Sequence, residues 1–407
     1  MFRKTFTLYR NSFSGLPREI WLISMVSLIN RSGAMVIPFL TVYLTRKMGF
    51  SLIEAGWVMS AFGLGSIAGS FVGGRLTDRF GHYPVQFWSL LLGGGMYFVL
   101  MQMESLWAIA VTTFFTSMVN DTFRPANMAS ISAYSPKNLY TRSVALLRFA
   151  INLGFSIGPA VGGFLAATVG YKWLFVVDGL TCMIAAGVFR MFVSHREDEK
   201  TEEKTDQSAP AKIRFSVFSD RAFMTFAFFQ LMVSVAFMQF FSTLPVFLKN
   251  DMKLSEDAIG ALLAINGLII VAMEMPLIYL IENRFSRLTL IRAGMIAMGL
   301  AYLSLWLGGL WVWIALVFII LITVGEMINF PFGNTYALER ASSETRGKYM
   351  GMYAMIFSTS FVLAPSLGTW VAGNWGFHVL WLVLTGLCFV AATGIYFLGL
   401  REKKAIA

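Results

Sequence analysis

Residues 154–163 read Gly154-Phe155-Ser156-Ile157-Gly158-Pro159-Ala160-Val161-Gly162-Gly163, inside an apolar run that extends over 142–167. A run of that length is enough to cross a hydrocarbon layer about 30 Å thick as one helix. Small residues at i and i+4 let a second helix approach closely, and the proline frees a backbone carbonyl and kinks the helix. The same punctuation returns later in the chain. Pro159 and Pro365 are 206 residues apart (365 − 159), as are Gly162 and Gly368 (368 − 162) and Pro125 and Pro331 (331 − 125). An offset of 204 pairs Gly56 with Gly260, Gly63 with Gly267 and Asp78 with Glu282, and Pro38 and Pro245 differ by 207. The chain is thus one template written twice, with a small insertion explaining the drift.

Working outward from this stretch, apolar runs fall near 20–44, 53–74, 84–103, 106–127, 142–167 and 172–193, then near 219–248, 256–281, 288–308, 311–336, 347–371 and 377–399. The reading is an all-α membrane protein of twelve transmembrane helices in two six-helix bundles, 1–194 and 215–407. Between them, 195–214 carries Glu197, Asp198, Glu199, Lys200, Glu202, Glu203, Lys204 and Asp206, then Ser208 and Pro210. Such a segment has no apolar surface to bury and is expected to be a solvated linker. Six spans per half keep the orientation of the repeat, so the halves are related by an axis along the membrane normal, with a cavity expected at the midplane between them.

Composition agrees. Of 407 residues, 57% are hydrophobic and 13% charged, against about 25% charged in soluble domains, and mean hydropathy is +0.67. The net charge of +10 is scattered in short segments between apolar runs, which leaves no hydrated basic face for nucleic acid. Cys182 and Cys388 lie inside apolar runs and read as small buried hydrophobes, with no metal or redox motif. The N-terminal Arg3, Lys4 and Arg10, ahead of Pro17, read as a short lead-in, not a removable signal peptide.

Lys and Arg set the expected orientation. Arg75, Arg79, Lys137, Arg142, Arg284, Arg287, Arg340, Arg346 and Lys348 occupy loops on the linker side, and Arg401, Lys403 and Lys404 follow in the tail. The opposite loops hold mainly Arg46, Lys47, Lys172, Lys249 and Lys253. Both termini and the linker are therefore expected in the cytoplasm of a cell with this multi-pass protein in its membrane, the inner membrane in a bacterium.

Between spans 2 and 3 stands Gly73-Gly74-Arg75-Leu76-Thr77-Asp78-Arg79-Phe80-Gly81-His82. This resembles motif A of the major facilitator superfamily. The glycines allow a tight turn and close helix approach, and Asp78 is of a type to cap or pair at neighbouring helix ends. The resemblance makes Gly74, Asp78, Arg79 and Gly81 part of a conformational gate; an ordinary charged turn is the alternative. A second copy, Leu280-Ile281-Glu282-Asn283-Arg284-Phe285-Ser286-Arg287, lacks the glycines. The opening stretch is similar to motif C, the glycine–proline signature of the drug:proton antiporter branch, and adds Gly154, Gly158, Pro159 and Gly162 to the gate. The resemblance spans the whole layout and departs at span 4. There the branch usually carries a mid-helix arginine, the corresponding place falls near Thr112, and Asn120, Asp121 and Arg124 stand nearer the far end, before Pro125.

A charge near the bilayer centre costs at least ~2.5–3.5 kcal/mol, so each needs a partner or water. Asp121 and Arg124 are i and i+3 and either neutralise each other or serve transport. Arg190 is expected to snorkel, and Asp178 to cap a helix near the interface. Glu274, before Pro276, and Glu326, before Pro331, are carboxylates in otherwise apolar helices, where burial favours the protonated form. Glu274, Glu326 and Asp121 are the candidate proton carriers, with an ion pair between Arg31 and one of the glutamates as the structural alternative. Asn30, Arg31, Arg124 and Arg148 are expected to face the cavity, giving it a basic N-terminal wall against an acidic C-terminal one. Such a cavity suits an amphipathic zwitterion or anion. With 38 Phe and 24 Met in the chain, Phe237, Met238, Phe240 and Phe241 either line an adaptable pocket or pack between helices.

These readings point to a proton-coupled secondary transporter for a small amphipathic molecule, working by alternating access as a monomer, with motif C favouring efflux by antiport. An uptake symporter for a small nutrient or peptide, or a lipid flippase, is the alternative. No Walker A sequence is present. His82, His195 and His378 all lie in loops or at span ends, so no enzyme constellation is expected. No cofactor or metal is implied; the partners are substrate, protons and the bilayer.

Overall fold

The computed structural model describes residues 15–136, 139–193, 217–282, 284–341 and 345–406. The linker expected at 195–214, the N-terminal Arg3, Lys4 and Arg10, and Lys137 lie outside the described residues. Span 1 is formed by α1 (Arg18–Ser32) and α2 (Val36–Arg46), spans 2 and 3 by α3 (Leu52–Phe80) and α4 (His82–Leu100), and span 4 by α5 (Leu106–Asp121) and α6 (Phe123–Tyr134). Spans 5 and 6 are α7 (Tyr140–Thr168) and α8 (Lys172–Phe192). In the second half α9 (Arg221–Ser242) and α10 (Leu244–Asn250) form span 7, while α11 (Glu256–Ile281), α12 (Arg287–Leu307) and α13 (Val312–Glu339) are spans 8 to 10. The last helix, α14 (Arg346–Ile406), turns at Gly376, and its two legs are spans 11 and 12. The protein is an all-helical membrane protein of twelve spans, with no strand among the described residues.

Two of the turns are shorter than the apolar runs suggest. The helix of span 2 continues through Asp78 and Arg79 to Phe80, and Gly81 alone reverses the chain at φ +83°. Gly376 does the same between spans 11 and 12 at φ +84°. Both sit in the left-handed region, where a side chain is strained and glycine is not.

Three spans are broken, each just ahead of a proline. The ring of a proline collides with the carbonyl four residues back and removes one N–H, so the helix opens upstream of it. Pro38 follows the break at 33–35, Pro125 the break at Thr122, and Pro245 the break at Thr243. Pro159, Pro276, Pro331 and Pro365 stay within continuous helices.

The chain forms two compact units. One comprises the described parts of Met1–Tyr43 and Ala61–Glu199 together with Ser255–Val271. Its core gathers Ile20, Ile23, Val26, Leu90, Phe123, Ile131, Leu147 and Phe189. The other comprises Leu44–Ser60, the described part of Lys200–Leu254, and Ala272–Ala407. There Trp381 stacks on Tyr302, whose hydroxyl donates to the Ala236 carbonyl at 2.6 Å.

Exposed Trp57, Trp107, Trp173, Trp311, Trp313 and Trp375 all lie at the span ends away from the termini. Indole rings with one wet edge settle at the boundary between lipid and water.

Candidate functional site

In the first unit the site is built around the break in span 1. Pro38 opens the helix, and the two halves are held by span 6: Asp178 Oδ1 accepts the Met35 N–H at 3.2 Å and Oδ2 the Val36 N–H at 2.9 Å. Asp178 thereby caps α2 from another helix, and it is 2% exposed. Upstream of the break, Asn30 Nδ2 donates to Cys182 Sγ at 3.2 Å, one turn beyond Asp178 on span 6. Asn120 on span 4 lies on the other side of Cys182, its Oδ1 3.8 Å from the sulfur.

Arg31 is half-buried, its guanidinium 5.3 Å from the Phe155 ring on span 5. Arg124, Asp121, Tyr97 and Cys182 act on it electrostatically. Asp121 and Arg124 pair at 2.8 Å, as their i, i+3 spacing allows. The pair is lopsided: Asp121 is 5% exposed and Arg124 49%. Asp121 Oδ2 has no hydrogen-bond partner among the described residues. Asn30, Arg31, Asp121 and Arg124 are thus neighbours; Arg148 is an exposed residue of span 5.

Motif C supplies the room for this arrangement. A Cβ at Gly154 would fall 2.6 Å from Arg31 Cβ, one at Gly158 3.0 Å from the Ala34 carbonyl oxygen, and one at Gly162 2.9 Å from Met35 Cβ. Span 5 lies directly against the break because these positions carry no side chain. Pro159 and Gly163 meet span 8: a Cβ at Gly260 would collide with the Pro159 carbonyl, and one at Gly163 would fall 2.9 Å from Gly260 Cα. Tyr171 donates to Glu256 Oε1 at 2.6 Å near the same crossing.

The second unit holds the equivalent crossing. Gly56 of span 2 faces Thr369 and the Pro365 carbonyl of span 11. Ser60 donates to the Val362 carbonyl at 2.6 Å and lies 2.7 Å from Ser366 Oγ. Gly368 rests on Gln239 of span 7, whose Nε2 donates to the Ala364 carbonyl at 2.6 Å. Beside it Phe237 meets Phe330 edge-on at 4.9 Å and Phe241 at 6.1 Å, and Phe330 continues to Phe357 at 5.0 Å. Phe237 is buried and Phe241 half-buried. Glu274 and Glu326 are each half-buried in spans 8 and 10.

At the ends nearest the termini, Gly73 packs on Thr122 and Pro125 at the break of span 4, whereas nothing lies within 4 Å of a Cβ at Gly74. Asp78 and Arg79 are exposed, and the Arg79 guanidinium sits 5.1 Å from the Phe80 ring. In the second unit Asp220 caps span 7 through the Phe223 N–H at 3.0 Å and takes both Arg340 Nε and Nη2, at 2.9 and 2.8 Å. Arg340 Nη1 also reaches Glu402 at 2.6 Å, and Tyr349 donates to Asp220 at 2.9 Å. Burial alone would push the Asp220 carboxyl up, but these donors together hold it below its ordinary value. Arg340 is held above its ordinary value, burial being outweighed by Asp220.

Sequence reasoning expected Asp178 to cap a helix, as it does, but did not bring Asn120, Cys182, Phe155 or Tyr97 to this break. The signal was Gly33 and Pro38 within one span: a helix opened there exposes amides that some buried acceptor has to satisfy.

The sequence matches the Major Facilitator Superfamily over residues 20–358 and 328–406. It is 26% identical to an uncharacterized MFS-type transporter, YqjV of Bacillus subtilis (strain 168), covering 87% of this chain and 85% of the relative. It is 22% identical to a Na(+), Li(+), K(+)/H(+) antiporter of Planococcus maritimus, covering 93% and 95%. Among solved structures, the nucleoside transporter NupG superposes with a TM-score of 0.75 at 16% identity, covering 94% of this chain and 99% of that one. A POT family transporter in complex with 5-aminolevulinic acid superposes at 0.79 and 14%, covering 95% and 96%. These likenesses show the fold. With its twelve spans, its duplicated glycine and proline crossings and this match along its length, the chain is a membrane transporter belonging to the Major Facilitator Superfamily.

Proposed function

We propose that this transporter is proton-coupled, of the drug:proton antiporter type, and moves a small amphipathic molecule out of the cell by alternating access. The observation that carries the reading is the double use of motif C. One stretch of span 5 presses Gly154 and Gly158 on the span 1 break and Gly163 on Gly260 of span 8. A helix that touches both the polar break and a crossing at its far end is suited to transmit a change at one to the other. Bundles 1–194 and 215–407 are the bodies that rock, acting as a monomer, with both termini in the cytoplasm. Glu326, Glu274 and Asp121 are the proton carriers of this reading. Arg31, Arg124, Arg148, Asn30, Phe237 and Phe241 face substrate, and Gly74, Asp78, Arg79 and Gly81 belong with motif C to the gate. A basic wall set against an acidic one favours a zwitterion or anion.

The test is purified protein in liposomes loaded with a pH-sensitive dye. An amphipathic anion, a dipeptide and ethidium are added in turn under an imposed pH gradient. Proton release from the lumen driven by the anion or the dipeptide, lost in both Glu326→Gln and Glu274→Gln, supports the reading. Transport that persists unchanged in both variants overturns the assigned carriers. Monovalent cation/proton antiport is a second reading, favoured by the Planococcus relative and by the unpartnered Asp121 Oδ2. Sodium or potassium chloride in the same assay separates it from the first.

A further inference from the structure

Asp178 is a carboxylate deep in a membrane protein, 2% exposed, and among the described residues no cation pairs with it within salt-bridge distance. Its partners are two backbone amides of the span 1 break: Val36 at 2.9 Å, and Met35 at 3.2 Å, whose N–H is shared with the Gly33 carbonyl at 2.6 Å. The surroundings fix the contact sterically. Gly33 lies so close to Thr181 and Asp178 that a Cβ there would collide with the Thr181 hydroxyl. Thr181 in turn donates to the Val177 carbonyl at 2.8 Å, which fixes its hydroxyl against the helix. The ionisable groups facing Asp178 are Arg31 from span 1, Tyr97 from span 3 and Cys182 on its own helix; Asp121 of span 4 acts on Arg31 and Tyr97.

Two opposed influences act on this side chain. A charge within hydrocarbon is costly, which favours the protonated form. Hydrogen bonds from the two amides and the N-terminal end of α2 favour the ionised form. The two forms differ in what they do to the backbone. Ionised, Asp178 clamps both amides; protonated, it loses the charge-assisted part of both bonds. The break is also the mount of the polar site, since Ala34 N–H donates to the Arg31 carbonyl at 3.1 Å and Asn30 is tied to Cys182 one turn from Asp178.

We propose that Asp178 is a proton-binding switch for span 1. Ionised, it holds the break with Arg31 in place against Phe155; on protonation it releases the Val36 amide, leaves the Met35 amide to the Gly33 carbonyl, and frees α1 to turn relative to α2. The inference deepens the proton-coupled reading, and its role in transport rests on that reading, but its physical content does not. The test therefore uses no substrate.

Amide hydrogen exchange is followed for the peptide spanning Met35 and Val36, in the full chain in liposomes, from mildly acidic to mildly alkaline pH and corrected for intrinsic rates. Protection is expected to fall about tenfold on the acidic side in the wild type. Asp178→Asn keeps a good N-cap, because Asn caps as well as Asp. Its protection is expected to be retained but flat with pH. A purely structural cap predicts a flat profile in the wild type as well, and that result overturns the proposal, as does an unchanged pH response in Asp178→Asn. Should that variant misfold, the protonated-carboxyl infrared band of the wild type decides instead. A band that grows on the acidic side and is displaced in Asp178→Glu supports the switch, and a band indifferent to pH overturns it. Exchange that switches with pH while liposomes show no proton-driven transport leaves the switch standing and removes the coupled reading; the converse result removes the switch alone.

Discussion

Arg46 and Asn250 stand 204 residues apart (250 − 46), at the same place in the two repeats, and Arg46 Nε donates to Asn250 Oδ1 at 2.5 Å. The offset read from Gly56/Gly260 is thus realised as a bond between equivalent residues. It joins the ends of spans 1 and 7 on the face away from the termini, within the second unit.

If the repeats rock during transport, this bond opens in each cycle. Arg46→Cys with Asn250→Cys is expected to cross-link with a short bifunctional thiol reagent and to stop transport, while each single variant remains active. Native Cys182 and Cys388 are buried and compete little for the reagent. The outcome is read as the electrophoretic shift against residual proton flux. Full transport by the cross-linked protein would show that the two ends never separate.

The turn beside that bond holds stored strain. Gly49 has φ +78° and its counterpart Lys253 (253 − 49 = 204) has φ +56°, and both turns close on the same long bond, Phe50 N to Leu44 O at 3.1 Å and Leu254 N to Leu248 O at 3.0 Å. The second copy keeps the left-handed conformation after losing the glycine, which costs about 1–2 kcal/mol for an L-residue. Lys253→Gly relieves that strain at the expense of a looser unfolded chain, leaving a gain of about 0.5–1 kcal/mol. A rise in Tm of the detergent-solubilised protein checks it, and a fall would mean that Lys253 makes contacts worth more than the strain.

The duplication, the spans and the close approaches were legible because hydropathy and small-residue spacing are local, and membrane helices leave few other ways to satisfy the backbone. Gly56, Gly260, Pro159 and Pro365 were visible as punctuation, and each glycine meets the proline of the other repeat, Gly260 with Pro159 and Gly56 with Pro365. The Asp121–Arg124 pair was equally visible, being one helical turn. That Asp178 caps a helix was legible too, but not which one, since its partners lie 142 and 143 residues away and are backbone atoms, which carry no side-chain signature. Nor does a helical turn of sequence distinguish Gly73, pressed against Thr122, from Gly74 beside it in open space.

The Asp220–Arg340–Glu402 cluster predicts a pH dependence with a definite sign. Asp220 titrates lower in the folded chain than when unfolded, so its contribution is complete above the ordinary carboxylate value and is lost as pH falls through the depressed one. Hydrogen bonds to a charged group are worth about 1.5–3 kcal/mol. Asp220→Asn is expected to lose a large part of that at neutral pH and to flatten the acid side of the stability profile. Thermal melts from neutral to acidic pH, wild type against variant, are the check; parallel profiles would exclude the clamp as a source of acid sensitivity.

Substitution at the crossing of spans 5 and 8 separates packing from gating. A side chain at Gly260 meets the Pro159 carbonyl and the Gly163 backbone, atoms that cannot step aside as the tip of a flexible chain can. Gly260→Val therefore forces the helices apart, and overpacking of this kind costs about 1–3 kcal/mol. That cost falls only on conformations in which the two helices touch, so the population shifts towards those in which they do not. Gly187, on span 6 with nothing within 4 Å of a built Cβ, is the control, and Gly187→Ala is expected to leave transport unchanged. Thiol labelling of a cysteine placed at Ser156, which lies against Gly267 in the same crossing, reports the shift. Faster labelling in Gly260→Val, together with reduced proton flux, identifies the crossing as a moving part. Slower transport without faster labelling would reduce it to a packing contact.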